Sequence, residues 1–302
     1  MPGCHERQYQ VGPIVLSGIE AGPVCSPRGV VVALHGSGYV SRYWDCPHNP
    51  ANSLLRLGDG LGYRVVAIDR PGYGASRTIA SEQNSLDAQA AVLSELIAGL
   101  RAESALAPVF LIGHSLGALL AVRLAAREAA AHVAAIDVMG LPVQWRDDVR
   151  QAAESSLDGL ASDLSSPDSR LAMYFGPPGT YDPAVLEMER DFSERIPRPE
   201  MSDSLDSARM LSEMAPDVRV PVQCTVAEFD GSIAAGPDAV ARDRELFAGS
   251  PRAVAHWQPG AGHNISLHWV GRAYHLRALA FFEEVAALAG LAAPVDAFEV
   301  AL

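Results

Sequence analysis

The feature that most constrains the fold is a short apolar run that leads directly into a turn bounded by glycines. Residues 109–112 read Val-Phe-Leu-Ile, the motif Gly113-His-Ser-Leu-Gly117 follows, and a further apolar stretch begins at once. A buried strand, a tight turn and a helix in immediate succession account for this order. Glycine fits the flanking positions because a side chain there would collide with neighbouring backbone. The pattern predicts that Ser115 sits exposed on a strained turn, as a nucleophile does.

The helix that follows this turn has a consequence for charge. Its N-terminal dipole and the Leu116 backbone N–H should face the place where an oxyanion would form after attack by Ser115. Leu116 is therefore predicted as one donor of an oxyanion hole.

The rest of the chain alternates strand and helix patterns. Apolar runs typical of strands covered on both faces lie at residues 30–34, 64–68, 109–112 and 220–226. Helical patterns follow at about 86–101, 116–128, 238–247 and 265–287. This alternation predicts an α/β fold with a doubly wound, mostly parallel sheet.

One stretch departs from the alternation. Residues 141–217 are rich in Asp, Glu, Ser and Pro and contain no buried-strand run, so they predict a helical lid inserted into a core domain formed by 1–140 and 218–302. Five of the seven methionines lie in this stretch, and methionine adapts to irregular apolar shapes. Met173, Tyr174 and Phe175 are predicted to contact a substrate. Ordinary packing of the lid helices on the core explains the same composition equally well.

Composition excludes several classes of protein. The net charge of −13, with 36 acidic and 23 basic residues, disfavours a nucleic-acid partner. The four cysteines have no paired spacing, so neither a zinc site nor a disulfide framework is indicated. We find no stretch of about 18 uninterrupted apolar residues. We therefore expect a cytoplasmic protein without a metal or organic cofactor; the sequence does not decide its oligomeric state.

Two further motifs precede the serine turn. Leu34-His-Gly-Ser-Gly38 follows the first predicted strand, and Asp69-Arg-Pro-Gly-Tyr-Gly-Ala-Ser76 follows the second. With these motifs in this order, the chain resembles the α/β-hydrolase superfamily over nearly its whole length. The resemblance implies that Ser37 donates the second oxyanion N–H, that His35 braces the loop, and that the second motif is structural. It also places Gly36 and His114 beside the substrate.

The resemblance implies a histidine late in the chain as the base that activates the serine. His263 lies in a glycine-rich loop, Gln258-Pro-Gly-Ala-Gly-His263, between a strand pattern and the last helix. We therefore assign His263 as the base. The competing histidines, more plausibly packing or surface residues, are His256 in the strand pattern and His268 and His275 on the last predicted helix.

The acid that orients the histidine is less clearly marked. Asp230 occupies the aspartate position of a segment that resembles the Gly-x-x-Asp motif of the family, but Ala227 stands where glycine is usual. Asp137, near the end of an earlier strand pattern, and Glu228 remain alternatives. The chain order favours Asp230.

Together these residues imply a serine hydrolase that cleaves a small to medium apolar ester or lactone through an acyl-enzyme at Ser115. A serine rather than an aspartate in the turn argues against the alkyl-ester chemistry of similar family members. The same scaffold also supports thioesterases and lyases that eliminate an acyl group in natural-product assembly, so these alternatives stay open. A ligand-binding receptor fits less well, because a binder has no need of an activated serine.

Overall fold

A computed structural model describes residues 4–80, 84–157 and 167–290 of the 302-residue chain. The described residues form one eight-stranded sheet with strand order β1-β2-β4-β3-β5-β6-β7-β8. The strands are β1 (His5–Val11), β2 (Ile14–Ala21), β3 (Val30–Leu34), β4 (Arg64–Ile68), β5 (Val109–His114), β6 (Val133–Met139), β7 (Val222–Phe229) and β8 (Ala253–Gly262).

Helices cover both faces of this sheet. The helices of the core are α1 (Leu54–Gly60), α2 (Leu86–Glu103), α3 (Leu116–Ala126), α9 (Pro237–Glu245) and α10 (Gly271–Leu288). Between β6 and β7 the described helices are α4 (Asp147–Leu157), α5 (Pro167–Tyr174), α6 (Ala184–Met188), α7 (Arg198–Leu205) and α8 (Ser207–Met214).

The strands from β3 to β8 pair in parallel, which confirms the predicted α/β fold with a mostly parallel sheet. The first two strands form an antiparallel hairpin at one edge, and β2 also pairs antiparallel with β4. The sequence analysis did not predict this hairpin, because β1 alternates apolar and polar residues instead of forming a continuous apolar run. Tyr9 and Val11 are buried, while Gln8 and Gln10 are exposed, as expected of a strand with one face in water.

Strands β3 and β4 begin and end where the sequence predicts, while the last helix differs. It begins at Gly271 rather than near residue 265, after a single turn of 3-10 helix at Ile265–Leu267. The intervening residues bond to neighbouring segments instead: Trp269 N–H donates to Thr180 O at 3.0 Å, and His268 Nε2 accepts from Gly262 N–H at 3.0 Å. His268 therefore precedes the last helix instead of lying on it.

The sheet separates two apolar layers. Val30, Val32 and Leu34 of β3 point into the layer beneath α2 and α3, whereas Val31 and Ala33 point into the layer beneath α1 and α10. This alternation along a strand that is buried throughout explains its continuous apolar sequence. In the second layer, Phe110 stacks on Phe282 of α10 with ring centroids 4.8 Å apart.

Residues 141–217, called the helical segment below, contact the loops that follow three parallel strands. Glu194 N–H donates to Gly38 O after β3 at 2.9 Å. Isolated bridges join Trp145 to Ile233 after β7, and Tyr181 to His268 after β8. The described part of this segment adds no strand to the sheet, and it lies against the carboxyl edge of the sheet.

Phe110→Ala tests the core layer beneath α10. Phe110 is fully buried, so its truncation should lower the free energy of unfolding by about 3–5 kcal/mol through lost burial and a cavity. Leu288→Ala is the control, because Leu288 is 76% exposed and its loss should change that free energy by less than about 0.5 kcal/mol. Urea unfolding followed by circular dichroism measures both; equal effects would contradict the packing described.

Candidate active site

Ser115 occupies a strained turn between β5 and α3. Its backbone has φ +54° and ψ −119°, a region that side chains other than glycine rarely adopt, and its N–H donates to Met139 O at 2.9 Å. Neighbouring backbone approaches the turn closely. A Cβ atom on Gly117 would lie 2.2 Å from Leu34 O, and one on Gly113 would lie 2.5 Å from Gly117 O. Close approach at both positions therefore requires glycine.

His263 and Asp230 meet because they follow adjacent parallel strands. Asp230 comes directly after β7 and His263 directly after β8, and the two strands still pair at Phe229 and Gly262. The imidazole Nδ1 lies 2.7 Å from Asp230 Oδ2, and both side chains are buried. The structure thus brings together the base and the favoured acid of the sequence prediction.

Asp230 is held as a charged group. Its Oδ1 accepts hydrogen bonds from Ser232 N–H at 2.9 Å and Ser232 Oγ–H at 2.6 Å, and a longer one from Ile233 N–H. Burial alone would raise the pKa of Asp230, but the neighbouring His263 and the hydrogen bonds from His263 and Ser232 lower it. The carboxylate can therefore stabilise a cationic imidazole beside it.

Ser232 was missed by sequence reasoning. Its Oγ lies 3.0 Å from His263 Nδ1 as well as within hydrogen-bonding distance of Asp230. The available signal was its position two residues after Asp230, where a serine can close a turn on an aspartate side chain.

The two alternative acids have other partners. Asp137 is buried and accepts hydrogen bonds from Tyr274 and Gln223, and burial raises its pKa to about 6. Glu228 is exposed and accepts from Gly260 N–H at 2.9 Å. Neither forms the contact with His263 that Asp230 forms.

The competing histidines also have structural partners. His256 Nε2 lies 3.1 Å from Gln223 Oε1, and His275 Nε2 lies 2.9 Å from Ser266 Oγ. His268 bonds to Gly262 N–H, so each of the three has a structural partner; His268 and His275 are buried and His256 is half-buried.

The two predicted oxyanion donors lie on neighbouring elements. Leu116 is the first residue of α3, where a backbone N–H has no acceptor within its own helix. Ser37 lies in the loop after β3, and β3 pairs with β5 so that Leu34 is opposite Gly113. Ser37, Leu116, Ser115 and His263 all line one cavity.

His114 lines the cavity beside Ser115, whereas Gly36, also predicted beside the substrate, is not among the lining residues. The His114 ring stacks on Tyr43 at 4.8 Å and lies 4.7 Å from the His263 ring. Burial, then the nearby His263, keeps the pKa of His114 well below its usual value, so the ring is neutral. A Cβ on Gly36 would lie 2.8 Å from His114 Nδ1 and 3.1 Å from Ser115 Cβ, so Gly36 leaves room for both.

The cavity above Ser115 has a volume of about 200 Å³ and a mainly apolar wall. Met173 and Tyr174 line it, as predicted for substrate contacts. Phe175 does not: its buried ring packs against Tyr181 at 5.1 Å and His268 at 6.0 Å, on the other side of the wall. Further apolar lining comes from Trp145, Val149, Ala152, Ala153, Ile196, Met201 and Leu205.

Tyr39 is a second residue that sequence reasoning missed. It lines the cavity, donates its hydroxyl proton to Glu189 of the helical segment, and accepts from Asn264 Nδ2 at 2.8 Å. Because Asn264 follows His263, this contact ties the loop of His263 to the loop after β3. No local motif marks Tyr39, since its partners are distant in sequence.

Fold and site together define the class of the protein. A strained serine after the central strand, with a His–Asp pair after the last two strands, is the arrangement of α/β hydrolases. A family model described as the alpha/beta hydrolase family matches residues 31–275. The chain therefore belongs to the α/β-hydrolase family, as the motif order predicted.

Comparison with solved structures agrees on the fold. An Acinetobacter baumannii AYE protein assigned as a lipase superimposes with a TM-score of 0.69 at 16% identity, covering 95% of this chain and 93% of that one. A Burkholderia cenocepacia protein assigned as an aryl esterase gives 0.69 at 17% identity, with 94% and 100% covered. E-2-(acetamidomethylene)succinate hydrolase gives 0.65 at 20% identity, with 93% and 100% covered. At such identities the likeness concerns the fold.

A curated relative matches over a shorter stretch. The magnesium-chelatase 30 kDa subunit of Rhodobacter capsulatus is 34% identical over 118 residues, which is 38% of this chain and 36% of that subunit. The match thus covers about a third of the relative's length.

Neither a membrane-spanning helix nor a metal-binding cluster occurs in the part of the chain that the structure describes. Residues 4–80, 84–157 and 167–290 contain no helix with the length and apolarity needed to cross a bilayer. Within the same ranges no three His, Cys, Asp or Glu side chains cluster in a way that could hold a metal ion.

Gly140→Ala tests whether close packing holds the imidazole in place. A Cβ on Gly140 would lie 2.8 Å from His263 Cε1, and the residue has φ +59°, so alanine should push His263 away from Asp230. The far-downfield proton resonance of the Nδ1–H shared with Asp230 should move upfield or vanish. Gly99→Ala is the control, because a Cβ there meets nothing within 4 Å. An unchanged resonance in Gly140→Ala would contradict this packing.

Proposed function

We propose that the protein is a serine esterase that cleaves a small to medium apolar ester or lactone. The observation that supports this most strongly is the buried His263–Asp230 pair, 2.7 Å apart, at the same cavity as Ser115 on its strained turn. A hydroxyl is a weak nucleophile unless a positioned base takes its proton. In this proposal His263 is that base and Ser115 carries the hydroxyl that it activates.

The contact with Asp230 sets the direction of proton transfer. With Nδ1–H donated to Asp230, the neutral imidazole of His263 presents a lone pair at Nε2. His263 accepts the hydroxyl proton of Ser115 while Ser115 Oγ bonds to the carbonyl carbon. His263 then gives that proton to the leaving alkoxide. An acyl-enzyme and a free alcohol result. Water, deprotonated by His263, then releases the carboxylic acid and restores Ser115.

The backbone N–H groups of Leu116 and Ser37 stabilise the oxyanion of each tetrahedral intermediate. Both residues line the cavity beside Ser115, and such donors act mainly on the transition state, where the negative charge develops. The neutral His114 adds no positive charge beside the His263 ring, which becomes cationic in each tetrahedral intermediate.

The size and lining of the cavity support the substrate class. Its volume of about 200 Å³ is below the roughly 300–1,000 Å³ of drug-sized sites, which favours a compact acyl group. Met173, Ile196 and Met201 of the helical segment form part of its apolar wall. In this proposal the helical segment is a lid that covers the acyl group and excludes bulk water.

The experiment that tests this function is product analysis in ¹⁸O-water with matched esters, lactones and thioesters of increasing chain length. We expect turnover of short to medium apolar esters or lactones, with ¹⁸O in the released carboxylate. Ser115→Ala should lower turnover by about 10⁴-fold or more and abolish labelling by a fluorophosphonate. Product formation without incorporated oxygen would indicate elimination instead, and full turnover by Ser115→Ala would refute the nucleophile.

The identity of the acid is tested by three amide substitutions. Asp230→Asn should lower kcat by about 10⁴-fold, because the amide cannot hold the imidazole in the required tautomer. Asp137→Asn and Glu228→Gln serve as controls, since Asp137 bonds to Tyr274 and Glu228 to Gly260 rather than to His263. Steady-state kinetics on one ester measures all three. A mild effect of Asp230→Asn with a severe effect of either control would reassign the acid.

A further inference from the structure

A buried carboxylate of the helical segment lies beneath the oxyanion loop, which we define as residues 35–38. Glu200, in the first turn of α7, is completely buried. Its Oε1 accepts from Ser37 Oγ–H at 2.6 Å and Tyr73 OH at 2.8 Å, and its Oε2 accepts from Gln89 Nε2 at 2.9 Å. Arg70 donates one N–H to each oxygen, both at 2.9 Å. One carboxylate thus receives five hydrogen bonds.

Arg70 extends this contact along the loop. Its Nε donates to His35 O at 2.8 Å and its backbone N–H donates to His35 Nε2 at 3.1 Å. Since Nε2 accepts, the His35 ring donates from Nδ1 to Gly36 O at 2.8 Å. Tyr73 OH, which donates to Glu200, accepts from Gly38 N–H at 3.1 Å. Ser37 therefore bonds to Glu200 directly, His35 through Arg70, Gly38 through Tyr73, and Gly36 through His35 and Arg70.

The charges in this cluster are fixed at ordinary pH. Burial alone would raise the pKa of Glu200, but the Arg70 charge and the hydrogen bonds from Arg70, Ser37 and Gln89 lower it to about 2. Burial and the Arg70 charge lower the pKa of His35 to about 3, so that ring remains neutral. The bonds to the loop therefore do not change with pH near neutrality.

A contribution to folding stability does not by itself explain the buried Arg70–Glu200 pair. Both side chains have no exposed surface, and replacing a buried ion pair with apolar residues of similar volume is often neutral or stabilising. The pair does fix the geometry, because two parallel hydrogen bonds between a planar guanidinium and a carboxylate set both the position and the orientation of each group. Glu200, held in this way, accepts a hydrogen bond from Ser37, a predicted oxyanion donor.

We propose that Glu200 is a positioning residue for the oxyanion hole: docking of α7 through Glu200 holds the loop in the shape in which Ser37 N–H faces the oxyanion. This proposal rests on the proposed esterase function. Its consequence is that the helical segment completes the catalytic site as well as covering it. Without the carboxylate, Ser37 and Arg70 would lose their common partner. The loop would then lose its fixed shape.

The chain contains a matched control for this proposal. Glu20 is also buried, accepts hydrogen bonds from Tyr9 OH at 2.9 Å and from the fully buried Arg64 at 3.0 Å, and also has its pKa lowered to about 2. It lies on β2, towards the antiparallel edge of the sheet, and bonds to none of the loop residues. Glu20→Gln and Glu200→Gln thus make the same chemical change in similar surroundings.

The test compares kcat per active site, with sites counted by fluorophosphonate titration so that unfolded enzyme is excluded. Glu200→Gln should lower kcat by about 10- to 100-fold with KM changed less than about threefold, because an oxyanion donor acts on the transition state. A trifluoromethyl ketone, whose adduct with Ser115 forms an oxyanion, should bind more weakly by a similar factor. Glu20→Gln should lower the melting temperature and leave both quantities unchanged.

Equal kcat and ketone affinity in the two variants would overturn the proposal. If Glu200→Gln does not fold, Ser37→Ala decides, because it removes one bond to Glu200 and leaves the ion pair intact. We expect about a 3- to 10-fold loss of kcat and ketone affinity in Ser37→Ala, because the backbone N–H of residue 37 would lose part of its support. No loss would refute the role of Glu200. Failure of the esterase function itself would appear in the wild-type enzyme, as absent ester turnover.

Discussion

The parallel pairing of β3 with β5 is the constraint on which the rest of the site depends. It sets Leu34 opposite Gly113, so the loop after one strand and the turn after the other emerge side by side. The fit is close enough that a methyl group on Gly117 would meet Leu34 O at 2.2 Å. The strained backbone of Ser115 persists because these strands, buried on both faces, leave the turn no room to relax.

The ends of adjacent strands also bring the predicted acid and the predicted base together. Asp230 and His263 belong to loops 33 residues apart that meet because β7 pairs with β8. Burial opposes charge at this position, and hydrogen bonds from His263 and Ser232 outweigh that opposition for Asp230. The polar groups that surround the site are therefore as necessary as the reacting groups, since a buried carboxylate without them would take up a proton.

Sequence reasoning predicted the parts of the site that local motifs encode. The turn around Ser115, the order of Asp230 and His263, and the strands 30–34 and 64–68 follow from apolar runs, glycines and chain order. It did not find the N-terminal hairpin, whose strands alternate instead of running continuously apolar.

Contacts between distant residues were beyond such reasoning. Glu200 lies 163 positions from Ser37, and nothing in its neighbourhood distinguishes it from the many other acids of this acidic chain. Phe175 shows the opposite case. It follows two residues that line the cavity, but at the end of α5 the chain turns, and its ring packs into the core against Tyr181. Side-chain direction at a helix end is set by tertiary packing, which composition does not reveal.

Under the two proposals, the helical segment has two tasks: it forms part of the cavity wall and it supports residues 35–38. Met173 and Tyr174 of α5 form part of the cavity wall, as do Met201 and Leu205 of α7, and α7 also brings Glu200 to the buried Arg70. A substitution in the wall should alter which acyl groups fit, while one at the ion pair should alter the rate for every substrate alike. Because α7 also supplies Asp203, which accepts from Leu86 N–H at 2.8 Å, this helix is tied to α2 as well.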